Sequence, residues 1–149
     1  MTISKQNTVI NSIKTTLENI TEVNSFQSTV IKVLRGIRVL DDFSAGDLPG
    51  LAIFKTANNV DETYQQGSED RLVLHIWGFV TVEARENNYD NLDKLVADVE
   101  SILHNSSYNS YYNNTFIKNT NFYEGGVQDS FGFFDMEIEV SYFHTLGDI

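Results

Sequence analysis

At 149 residues, with 10 basic and 21 acidic side chains and a formal charge of −11, the chain is sized for one domain and can bury about two thirds of the surface that it exposes unfolded. The absence of cysteine excludes disulfides, thiolate metal sites and cysteine nucleophiles. A carboxylate surplus without a basic cluster disfavours ordinary DNA or RNA binding, which depends on lysine and arginine displacing counterions.

Met1 to Ile20 lacks the basic start and continuous apolar run of a signal peptide, and no stretch is long enough to span a bilayer. A soluble, unexported chain with no membrane partner is expected. From Thr8 to Ile20 the apolar positions Val9, Ile10, Ile13, Leu17 and Ile20 follow one helix face. Thr29 to Leu34 predicts a strand, with a helical continuation through Lys32 as the alternative. Asp41 to Gly50 collects Asp, Ser, Gly and the single proline, the residues of a turn-rich loop. Leu51 to Thr56 predicts a short strand. Ala57 to Asp70 is polar and is expected to be a loop or hairpin connection.

Arg71 to Arg85 alternates. Leu72, Leu74, Ile76, Val80 and Val82 fall on one face, and Val73, His75, Trp77, Phe79 and Thr81 on the other. Both faces are apolar in the middle, so the strand is either covered on both sides or meets another subunit. Asn88 to Asp90 offers capping side chains for a helix over Asn91 to His104, with Leu92, Leu95, Val96, Val99, Ile102 and Leu103 as its apolar stripe. An Asn, Ser and Tyr tract then reads as a surface connection. Strands are expected over Thr115 to Tyr123 and Phe131 to Phe143.

In the last strand Phe134, Met136, Ile138, Val140 and Tyr142 alternate with Asp135, Glu137 and Glu139. Carboxylates two apart on a strand point the same way at roughly 6.7 Å spacing. Acid and base pairs for glycoside cleavage need different environments across a cleft, which three neighbours on one strand do not have. A calcium loop counted from Asp41 fails at Phe43, Ala45 and Ala52. His75, His104 and His144 lack ligand spacing, and no serine has a GxSxG context. No catalytic, metal or cofactor site is expected. The fold class is α+β: an antiparallel sheet of four to five strands, packed with an N-terminal helix and one crossing helix.

The succession of an amphipathic N-terminal helix, LPGLAIF at Leu48–Phe54, RLVLHIWGFV at Arg71–Val80, NLDKLVADVESIL at Asn91–Leu103 and DMEIEVSYF at Asp135–Phe143 resembles bacteriophage tail terminator, or tail completion, proteins. The resemblance covers roughly Leu48 to Phe143 and implies one terminator-like domain over residues 1–149. It implies a homohexameric ring that caps the tail tube protein, ends tube polymerisation and presents a docking surface to the head connector or completion protein. In contractile tails the sheath protein attaches there too, and DNA passes through the ring without specific binding, which places the protein in the virion at the tail-neck junction.

Under that implication Asp135, Glu137 and Glu139 are candidates to line the DNA channel. Val73, Trp77 and Phe79 are candidates for the subunit interface. Asp41, Asp42, Phe43, Asp47, Gln65 and Gln66 are candidates to face partners from loops. Two other readings stand beside it: a head-completion or neck joining protein, and a small-molecule-binding α+β domain with a cleft between sheet and helices.

Overall fold

The computed structural model describes residues 5–36, 43–64, 67–81, 85–104, 114–124 and 131–145. The apolar spacing of the first segment produces α1 (Lys5–Leu17), which buries Val9, Ile10, Ile13 and Leu17. The helix begins at Lys5, three residues before the expected start at Thr8. A 3-10 turn at Glu22–Asn24 follows, closed by Ser25 in the left-handed region at φ 73°. The chain then enters β1 (Lys32–Arg35) as a strand, without a helical continuation. The remaining elements are β2 (Gly50–Tyr64), β3 (Gly67–Thr81), α2 (Arg85–Leu103), β4 (Asn114–Glu124) and β5 (Phe131–Thr145).

The strands form one sheet in the order β1-β2-β3-β5-β4. Strand β5 inserts between β3 and β4 and runs antiparallel to both, making β3-α2-β4 a split β-α-β unit. The expected antiparallel α+β layer is present, with one difference. Strand β1 pairs with β2 in parallel, so the sheet is mixed. Parallel neighbours cannot be joined by a tight turn, and this connection carries Phe43 onto the sheet against Phe79.

Two boundaries correct the sequence reading. Of the two alternatives for Ala57 to Asp70 the hairpin holds, but the strand expected over Leu51 to Thr56 is longer: β2 and β3 continue pairing through Tyr64 and Gly67, forming a hairpin of two 15-residue strands. Helix α2 starts at Arg85, so Asn88–Asp90 lie inside it and do not cap it.

Both helices pack on one face of the sheet. Leu92, Leu95, Val99, Ile102 and Leu103 of α2 share a core with Leu72, Leu74 and Ile76 of β3 and with Phe134, Met136, Ile138 and Val140 of β5. Alternation therefore sends the odd-numbered residues of β3 and β5 to the opposite, outer face. Opposite Phe134, β3 carries Gly78, where the phenyl ring occupies the space that a Cβ would need.

The turn between α1 and β1 is fixed to α2 by a buried carboxylate. Asp98, 3% exposed, accepts the backbone N–H of Gln27 at 3.1 Å and of Ser28 at 2.7 Å. The same segment joins the sheet through Ile31 N–H, which donates to the Pro49 carbonyl.

Candidate functional site: the outer face of the sheet

On the outer face, Phe43, Ala52 and Phe79 form a second small core, with Leu34, Leu48, Trp77 and Phe133 packed against it. Rings run along it in close succession. Phe43 and Phe79 lie 5.2 Å apart, Phe79 and Phe133 5.2 Å, and Phe133 and Trp77 5.4 Å. Trp77 meets Phe54 edge-on at 5.0 Å, and Tyr123 extends the row at 5.1 Å from Phe133. Such tilted and edge-on pairs are the arrangements that aromatic quadrupoles favour. Trp77 Nε1 is buried among them without a hydrogen-bond acceptor among the described residues.

The row ends where the carboxylates begin. Asp135, Glu137 and Glu139 stand opposite Trp77, His75 and Val73 in the β3–β5 register. Asp135 Oδ1 is 2.8 Å from His75 Nδ1, and because a carboxylate only accepts, the imidazole donates from Nδ1. His75 also stacks on Phe54 at 5.5 Å. Glu139 Oε2 takes Arg71 Nη1 at 3.2 Å and Lys118 Nζ at 3.7 Å. The Arg71 guanidinium lies over the Phe116 ring, 5.4 Å from its centroid. Glu137 is the most exposed of the three, with His75 Nε2 4.0 Å from its carboxylate. The stripe is a cross-strand charge array carrying its own cations. Its net field on an approaching anion is weaker than that of three bare carboxylates.

The structure brings the channel-lining candidates together with the interface candidates on this one face. Within a single chain Val73 and Phe79 are already 7% and 3% exposed, and Trp77 is half-buried. Phe43 is buried against Phe79 and Gly50, so its ring is used on the chain's own sheet. Asp47 closes the 3-10 turn at Ala45–Asp47. It accepts the Ser44 backbone N–H at 3.0 Å and lies 3.5 Å from Lys32 Nζ. The hydrogen bonds from Ser44, backbone first, hold its carboxyl below the usual aspartate range, with Lys32 adding to the effect. Asp41, Asp42, Gln65 and Gln66 lie outside the described residues.

Arg71, Lys118 and Phe54 were not singled out by sequence. Alternation places Arg71 of β3, like Phe133 of β5, on the outer face, but its pairing with Glu139 and the arrival of Phe54 from β2 and Lys118 from β4 depend on cross-strand register, which the alternation of a single strand does not reveal.

Away from this face, an open groove of about 450 Å³ lies between α2 and the turn that joins α1 to β1, lined by Gln27, Ser28, Thr29, Pro49, Asn91 and Lys94 among others. Among the described residues no three His, Cys, Asp or Glu side chains are placed to hold a metal ion. No described helix is long and apolar enough to cross a membrane.

The fold matches a chain of a solved virion. That structure is described as the virion of a native gene transfer agent particle; the match has a TM-score of 0.58, covering 91% of this chain and 95% of that one. Identity is 10%, so the likeness is one of fold. No family model matches the sequence, and no curated protein does.

Proposed function

We propose that this chain is a structural protein of a phage-like particle, and specifically the terminator of its tail. The observation that carries the reading is the fold correspondence with a virion chain over nearly the full length of both. It joins the independent resemblance of the strand and helix succession to tail terminators. In this reading residues 1–149 act as one terminator-like domain, and six copies close into a ring on the last ring of tube protein. The ring stops further polymerisation and presents a surface to the head connector, with sheath attaching there in a contractile tail. The protein acts by geometry, and no bond is made or broken.

A ring subunit needs different surfaces on its two sides. The helical face and the aromatic, charge-paired outer face supply that asymmetry. Asp135, Glu137 and Glu139 remain the proposed lining of the DNA passage, tempered by Arg71 and Lys118, so the passage neither grips phosphate nor repels it strongly.

Negative-stain electron microscopy of particles assembled with this gene disabled tests the reading. Free tails of abnormal length beside filled, tail-less heads are expected. Normal particles overturn it, and finding the protein attached to tail-less heads in tail-deficient assemblies moves it to the neck.

A further inference from the structure

Strand β4 ends the described sheet on one side, and its eleven residues leave about half of their backbone N–H and C=O groups directed away from β5, a template for another strand. Three of the six exposed large apolar side chains among the described residues lie on it: Phe116, Phe122 and Tyr123, between 44% and 53% exposed.

Its register gives the strand an internal symmetry. Against β5, Ile117 pairs with Ile138 and Asn119 with Glu137, so the irregularity between them takes Lys118 out of the ladder. Counted along the ladder, Thr120 is then central. Asn119 and Asn121 flank it, Ile117 and Phe122 follow, and Phe116 and Tyr123 come next, with Thr115 and Glu124 beyond them and Asn114 left over. From Phe116 to Tyr123 the strand reads nearly the same in both directions. Lys118, which as an edge lysine would oppose pairing, reaches back over its own sheet to Glu139.

We propose that β4 is a self-association edge at which a second copy of this chain pairs antiparallel, about a two-fold axis at Thr120. Each Phe116 then faces the other copy's Tyr123, each Ile117 its Phe122 and each Asn119 its Asn121, with Thr120 against itself. Aromatic and β-branched cross-strand pairs of this kind stabilise sheets, and an isologous contact closes at two copies. The occupant is argued from the symmetry of the strand and from charge. In a chain at −11, β4 carries one lysine and one glutamate, so two copies meet there without juxtaposing their carboxylate surplus. The two sheets run on as one across the junction. The inference does not rest on the particle reading, because it concerns the free chain.

The test is sedimentation velocity on the full chain over a concentration series. The wild type is expected to approach twice the 16.9 kDa chain mass as concentration rises. Asn119→Lys with Asn121→Lys places lysine opposite lysine at both flanking positions and is expected to shift the species to monomer. Asn119→Lys with Asn121→Glu places opposite charges there and is expected to restore the dimer. Far-UV circular dichroism confirms that each variant is folded, the substituted side chains being exposed. A wild type that stays monomeric throughout overturns the proposal. So does a double-lysine variant that still dimerises, or a lysine-glutamate variant that does not recover.

Discussion

Replacing Gly78 with alanine puts a methyl group where the Phe134 ring already lies. An ideal Cβ at Gly78 would stand 2.7 Å from Phe134 Cδ1, with Cε1 and Cζ closer still, whereas ordinary contact begins near 3.4 Å. Phe134 is fully buried, so the ring cannot swing into solvent, and the strands must part or the side chain leave its rotamer. Overpacking of this kind costs about 1–3 kcal/mol. With three ring atoms in conflict the upper end applies, about 3 kcal/mol, or roughly 6–12 °C in Tm for a chain of this size. Phe134→Ala alone opens a cavity and costs about 4 kcal/mol. The double variant should cost about what Phe134→Ala costs, because removing the ring removes the conflict and the methyl fills part of the void. Urea unfolding followed by Trp77 fluorescence and by circular dichroism gives all three values. Costs that add within about 0.5 kcal/mol would refute the packing argument and with it the placement of Phe134 over Gly78.

Three further outcomes are expected. Asp98→Ala deletes the acceptor of two backbone N–H groups and should lower stability by about 3 kcal/mol, with Asp98→Asn losing less; a change below about 0.5 kcal/mol in urea midpoints would show that the turn holds without the tether. Because the Asp47 carboxyl is held below its ordinary value of 3.8 in the folded chain, its contribution is full above that value and is lost as pH falls through the lower folded one. Asp47→Asn should therefore flatten the acid limb of the stability curve below about pH 4, and an unchanged limb in urea titrations across that range counts against the turn geometry. Glu137→Lys reverses the least paired carboxylate of the stripe; under the terminator reading it should slow DNA ejection in single-particle ejection assays while leaving tail joining intact, and normal ejection removes the stripe from the passage.

What the sequence disclosed was whatever buries apolar side chains with a clear period. The α2 stripe from Leu92 to Leu103 and the alternation in β3 and β5 point correctly to the core, because burial is what that pattern records. The start of α2 was hidden because Arg85 to Asp90 holds no aliphatic residue, so the backbone extends the helix where the sequence pattern gives no sign of it. The distal halves of β2 and β3 were hidden for a related reason. Backbone ladder bonds leave no period in a sequence, and Ala57 to Asp70 is polar enough to pass for a loop. The parallel β1–β2 pair depends on where Phe43 and its connection cross, a tertiary matter. On the outer face, Asp135, Glu137 and Glu139 were legible as a stripe, but Arg71 and Lys118 come from neighbouring strands, so the sequence overstated the bareness of the charge.

The hairpin of β2 and β3 has a mechanical consequence. Fifteen residues of strand extend about 50 Å, whereas the 19 residues of α2 reach about 28 Å, so the sheet outruns the longer helix by roughly 20 Å. Along its length the hairpin draws stiffness from its backbone ladder. Its register shifts, at Lys55/Ala57 and Val60/Glu62, fall in β2, while β3 pairs with β5 without a break from Gly67 to Thr81. Bending is therefore concentrated in one strand, and the other transmits load along its length. A push at the Tyr64–Gly67 end of the hairpin is carried along the unbroken β3 ladder toward Trp77 and the rings around it.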